Sequence, residues 1–233
     1  MTYALRVVAC SSKPSPRLLK ALAPFSLVVR QVASGMHIPD KSSTARALHT
    51  SRASCDQCRK LATMPGGRIS LLRGQSGCGK STLLRTLAAT LDSTRARVID
   101  ANACLQQIPS GIPIVDIFSL PIVATLRLLS VAGLGEAMLW ARTPGELSEG
   151  QRTRLVLAIA MAKARSPRPT WILLDEFCST LDRVSACCVA RTLRRWSRQA
   201  NHVRIVCATA HDDIAVPLEP DLIIEPHAQL ENT

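Results

Sequence analysis

Eight consecutive residues, Gly74 to Ser81 (GQSGCGKS), constrain the fold more than any other part of the chain. They match G-x4-G-K-[ST] and lie between a short apolar run, Arg68 to Arg73, and a stretch from Ser81 to Leu91 in which Leu83, Leu84, Leu87 and Leu91 recur at helical spacing. Strand, glycine-rich turn and helix in that order predict an α/β fold on a mostly parallel sheet. Small residues in such a turn let successive backbone N–H groups close around phosphate oxygens, and the helix N-terminus adds its dipole. Gly74, Gln75, Ser76, Gly77, Cys78, Gly79, Lys80, Ser81 and Thr82 are therefore candidate nucleotide-binding residues. Lys80 would reach the β- and γ-phosphates, and the Ser81 hydroxyl would ligate Mg²⁺.

Further along, Trp171 to Glu176 reads WILLDE, an apolar run suited to a buried parallel strand and ending in two carboxylates. Asp175 there can hold Mg²⁺, directly or through water, and Glu176 can orient or deprotonate an attacking water. Val203 to Ala208 is a second strand candidate. Leu147 to Gln151 reads LSEGQ, directly before a helical stretch that begins with Arg152. Val184 to Arg198 sets Ala186, Val189, Leu193 and Trp196 on one helical face and Arg191, Arg194, Arg195 and Arg198 on the other, which reads as a solvated face or a nucleic-acid contact.

Composition narrows the class. The 233 residues are 47% apolar and 20% charged, enough for one sizeable core. Only seven aromatics are present, too few for modules that stack several bases. Residues 1–99 carry 16 basic and three acidic residues, whereas residues 100–233 carry 13 and 14, so the net charge of +12 is N-terminal in origin and would attract polyanions such as nucleic acid. The first 39 residues hold no Asp or Glu, loosely like an organellar transit peptide, yet Tyr3 to Cys10 and Leu18 to Val29 equally suit early strands and a helix. The best apolar stretch, Val115 to Gly135, is interrupted by Asp116, Pro121 and Arg127, so any membrane span would belong to another chain. Nine cysteines without framework spacing fit a reducing cytoplasm. Cys55 and Cys58 have ligand-like spacing, with His49 as a third candidate, or are ordinary thiols at a loop edge. Residues 34–67 show little periodicity and end in the turn signal Pro65, Gly66, Gly67, which predicts an irregular or weakly stranded region.

The ordered set GQSGCGKS, LSEGQ, WILLDE, STLD (Ser179 to Asp182) and His211 resembles the ATPase domain of ABC proteins over roughly residues 65–220. Within that superfamily GLGEAMLW, LSEGQRTRLVLA, DEFCSTLDRVSA and ATAHDDI look most like soluble ABC-type ATPases found alone or joined to a predicted acetyltransferase domain. The resemblance implies an ATP hydrolase using ATP and Mg²⁺, on a P-loop fold with a helical insert at about 112–142 and a reduced N-terminal antiparallel β region. It divides the chain into a basic N-terminal region (1–64), an ATPase core (65–220) and a C-terminal tail (221–233).

In that family two copies sandwich two ATP molecules head to tail, which would set Leu147, Ser148, Glu149, Gly150 and Gln151 of one subunit against the γ-phosphate held by Lys80 of the other. The resemblance makes Lys80, Glu176 as general base and His211 at the γ-phosphate the catalytic candidates, and Asp182 the link between the two sites. Gln107, with Gln106 competing, is the candidate for a loop that senses the γ-phosphate and joins Ser81 and Asp175 at the metal. Only 27 residues separate Lys80 from Gln107, fewer than is usual in transport ATPases. No aromatic lies between residues 26 and 117, so the usual adenine-stacking ring is missing unless His49 or an Arg stem replaces it. The partners implied are a second copy on ATP binding and a protein or nucleic acid that the dimer acts upon. The alternative is a transporter subunit serving a separate membrane chain.

Overall fold

The computed structural model describes residues 6–31, 52–92, 96–108 and 111–226. In chain order its elements begin with β1 (Arg6–Cys10), α1 (Pro16–Leu22), β2 (Leu27–Gln31), α2 (Arg52–Ala62), β3 (Arg68–Arg73), α3 (Lys80–Asp92), β4 (Arg97–Asp100) and α4 (Ala101–Gln106). They continue with α5 (Ile122–Val131), α6 (Ala137–Trp140), α7 (Glu149–Lys163), β5 (Thr170–Leu174), α8 (Arg183–Gln199), β6 (Val203–Thr209), α9 (Ala215–Leu218) and β7 (Leu222–Ile224). These elements form two compact units, one within Met1–Ser43 and Leu105–Ala162, the other within Thr44–Cys104 and Lys163–Thr233.

In the first unit β1 and β2 pair in parallel, from Arg6↔Leu27 to Cys10↔Gln31. The expected antiparallel N-terminal region is corrected here, because α1 returns the chain to the same end before β2 starts. Pro16 opens α1 with its φ already helical, and the Ser15 hydroxyl accepts from the Leu18 N–H at 2.9 Å. Arg17 ties this segment to the helical insert, donating to the Val115 carbonyl at 2.9 Å and to the Thr125 hydroxyl at 2.5 Å. Phe25 meets Trp140 edge to face at 5.5 Å between centroids. The N-terminal strands thus belong with the insert rather than standing as a separate region.

The second unit carries a five-stranded sheet, order β4-β5-β6-β3-β7, with every pair parallel. Buried residues of α2 and α3, among them Leu61, Leu83 and Leu87, pack with Leu72, Trp171 and Val206 of the sheet in one core. Two expectations for this unit are corrected. Residues 52–62, placed in an irregular region, form helix α2, so Cys58 points into the core, neither a thiol at a loop edge nor open to a metal. The supposed tail contains β7, which pairs with β3. His49 lies outside the described residues.

The turn before β3 shows why glycine was needed there. A Cβ on Gly66 would stand 1.8 Å from the Asn201 carbonyl oxygen, and Gly67 has φ +77°.

An ion-pair knot closes this unit. The Asp221 carboxylate accepts from Arg194 at 2.7 and 3.2 Å, from Arg68 at 2.5 Å and from the Ile69 N–H at 2.9 Å. Burial alone would raise this carboxyl, but the hydrogen bonds from Arg194, Ile69 and Arg68 outweigh it and hold the pKa at about 2. Since that lies below the ordinary 3.8, the stabilisation is complete above about pH 4 and lost as the pH falls toward 2. Asp221→Asn removes the charge opposite Arg194, whose Nε is already buried without a hydrogen-bond partner among the described residues. A loss of about 3 kcal/mol is expected at pH 7, read as a lower urea midpoint; an unchanged midpoint would contradict it.

Candidate active site

The phosphate loop leaves β3 at Gly74 and enters α3 at Lys80. Gly77 and Gly79 have φ of +85° and +96°, the left-handed region where glycine carries no steric penalty. At Gly74 a Cβ would come within 2.7 Å of the Cys78 sulfur. The Lys80 ammonium donates to the carbonyls of Gly74 at 2.5 Å and Gln75 at 2.7 Å, so the loop holds its own lysine at its mouth.

All five residues of β5 are buried, so the chain first reaches solvent at the strand's carboxyl end, where Asp175 and Glu176 stand. Phe177 and Cys178 then turn back inward, Phe177 donating its N–H to the Ala208 carbonyl at 2.8 Å. That reversal puts Glu176 and Cys178 at φ +51° and +59°, a conformation unfavourable by about 1–2 kcal/mol for each L-residue. The strain is compensated by the two buried side chains, and its effect is to leave the Glu176 carboxylate exposed.

One cavity of about 280 Å³ gathers the chemistry: Ser76, Lys80 and Ser81 from the loop, Asp175 and Glu176 after β5, and Thr209 at the end of β6. A cleft beyond the carboxyl ends of parallel strands is where open α/β sheets hold ligands. Ser179, Thr209 and Ala210 also line it; the sequence set them within STLD and ATAHDDI but assigned them no site role, and β6 reaches the loop only through its pairing with β3. His211 follows directly and is half-buried, its N–H donating to the Thr209 hydroxyl at 3.2 Å, but its ring is not among the lining groups. Among the described residues that line the cavity none is aromatic.

The donor set fits a divalent cation bound chiefly through phosphate. Among the described residues no three His, Cys, Asp or Glu side chains form a metal cage. Ser81 and Asp175 line one cavity, the sparse hydroxyl and carboxylate set with which Mg²⁺ is held beside substrate phosphates.

The remaining candidates lie elsewhere. Ser148 is the N-cap of α7: its hydroxyl accepts from the Gln151 N–H at 3.2 Å while the Gln151 side chain accepts from the Ser148 N–H at 3.0 Å. That reciprocal capping box explains the spacing of Ser and Gln, leaving the Ser148 and Glu149 side chains exposed, Gly150 half-buried and Leu147 buried. The LSEGQ segment and Gln107 belong to the first unit, the cavity to the second. Asp182 caps α8, accepting from the Ser185 N–H at 2.9 Å. Hydrogen bonds from the Ser185 side chain and backbone hold its carboxyl below the usual range.

No family model matches the chain. A sulfate/thiosulfate import ATP-binding protein CysA of Gloeobacter violaceus is 29% identical over 205 residues, covering 74% of this chain and 56% of its own length. A protein of the same name from Neisseria meningitidis is 26% identical over 207 residues, covering 73% of this chain and 54% of its own. Among solved structures, a dimeric post-hydrolysis state of the ATP-binding cassette MJ0796 with ADP and Pi superimposes with a TM-score of 0.56 at 19% identity, over 71% of this chain and 83% of that one. The chain is similar to ABC-type ATP-binding proteins in sequence and to an ATP-binding cassette in fold. The expected class, an α/β P-loop fold of ABC type on a mostly parallel sheet, agrees with its architecture and its structural neighbour. The chain spans little more than half the length of the curated relatives it matches. No helix among its described residues is long and apolar enough to cross a membrane.

Proposed function

We propose that this cassette binds and hydrolyses ATP and couples the cycle to movement of a partner. The observation that carries the reading is the single cavity holding Lys80, Ser81, Asp175 and Glu176. Phosphate oxygens take the backbone N–H groups of the loop, and the Lys80 ammonium exchanges its two carbonyl partners for the outer phosphates. Ser81 and Asp175 are the residues that would hold Mg²⁺, which when bound neutralises charge on the phosphates. Glu176 takes the proton of the attacking water and orients it for in-line displacement. His211, one residue beyond the lining Ala210, contacts the γ-phosphate from the β6 side, and Asp182 joins the two sites of a dimer.

The exposed Ser148 at the start of α7 supports a signature that acts on a second copy, giving a head-to-tail dimer with Gln107 as its γ-phosphate sensor. The relatives' names support a second reading, in which the cassette powers import through a separate membrane chain from the cytoplasmic side. Those names favour import over nucleic acid as the use of the basic N-terminal half, and over the soluble subgroup the motifs resemble.

Binding of a fluorescent ATP analogue tests the nucleotide site directly. Lys80→Ala is expected to weaken it by about tenfold or more, the loss of a charged hydrogen-bond pair to phosphate. Equal affinity in wild type and variant would overturn the site.

A further inference from the structure

No motif marks Asn102, yet the fold carries it to the end of β5. The β4–β5 ladder ends with Asp100 paired to Leu173, and α4 starts at the next residue, so the first turn of α4 leaves the sheet beside the end of β5. There the Asn102 Nδ2 donates to the Asp175 carbonyl at 3.3 Å. Asp100 fixes the arrangement, its Oδ1 accepting from the N–H groups of Asn102 at 3.0 Å and Ala103 at 3.2 Å. A second cavity, about 300 Å³, lies against the first; Ser81 and Asp175 line both, while Arg85, Asp100 and Asn102 line only the second.

We propose that Asn102 is a positioning residue for the cation end of the nucleotide site, tying the first turn of α4 to the end of β5 so that the Asp175 carboxylate stays beside Ser81. The inference rests on the nucleotide-site reading above. Asp175 begins the strained reversal at Glu176 and Cys178, and its backbone there lies past the last strand pairing, which ends at Leu174. A side chain that grips its carbonyl restores a restraint the ladder no longer supplies. An amide suits the task because it donates without adding a charge beside the carboxylate.

The test is equilibrium binding of a fluorescent ATP analogue in EDTA and in rising Mg²⁺, without turnover. Asn102→Ala should raise the Mg²⁺ concentration for half of the metal-dependent gain in affinity by about tenfold, as is typical when a group that orients a metal ligand is removed. Affinity in EDTA should stay within about twofold of wild type, since the phosphate loop is untouched. Asn102→Gln, which keeps the donor, should recover most of the shift. An unchanged Mg²⁺ requirement in Asn102→Ala, or a parallel loss of affinity in EDTA, overturns the proposal. Lys80→Ala run alongside separates the two ideas: wild-type affinity of that variant in EDTA would remove the nucleotide site itself, whatever Asn102→Ala does.

Discussion

Glu176→Gln should slow steady-state ATP hydrolysis by about 100-fold or more while leaving ATP binding intact. The amide is nearly isosteric with the carboxylate, so the left-handed turn at φ +51° and the burial of Phe177 and Cys178 that enforces it are preserved. What disappears is an acceptor basic enough to take a proton from water. Because Lys80, Ser81 and Asp175 remain, the ATP-bound form should persist and accumulate as a dimer, visible as an earlier peak in size-exclusion chromatography with ATP. Turnover at the wild-type rate would remove Glu176 from the base role.

Ser148→Arg should abolish turnover to a similar extent, for a reason located on a different surface. Loss of the capping box with Gln151 destabilises α7 by about 1 kcal/mol, too little to unfold the chain. The larger effect is a long cation on the exposed face that the shared-site arrangement sets against a second subunit's γ-phosphate. Transition-state stabilisation from that face would be lost, about 100-fold or more in rate. Binding of ATP to the monomer should be unaffected, since Ser148 is not among the residues lining the cavity. Mixing Ser148→Arg with Lys80→Ala should restore activity, because each heterodimer rebuilds one site from two undamaged halves. A mixture that forms heterodimers and stays inactive would contradict sharing.

What could be read from the sequence was mostly what is local. The phosphate loop, the carboxylates at the end of a uniformly buried strand and the LSEGQ segment each lie within a few residues, although the helix expected from Arg152 starts at Glu149 and the Ser148–Gln151 box that caps it was not read. The glycine turn at residues 65–67 was legible for the same reason, although its cause, the Asn201 carbonyl 1.8 Å from a would-be Cβ, was not. The misread elements depend on distant parts of the chain. Nothing in Arg6–Cys10 or Leu27–Gln31 encodes whether the strands run parallel; the crossover through α1 decides it. Helix α2 is polar, and its buried Cys58 and Leu61, three residues apart, are too few to show a period. Asn102 and Asp221 matter through partners far along the chain, Asp175 and Arg68, that only the sheet brings near.

The most direct measurement is ATPase rate per subunit against protein concentration, for wild type and Glu176→Gln at saturating Mg²⁺ and ATP. Hydrolysis at shared sites predicts a rate per wild-type subunit that rises with concentration to a plateau as dimers form, and a flat line near zero for the variant. A wild-type rate per subunit independent of concentration down to the monomer range, or a variant that follows the wild-type curve, would contradict it.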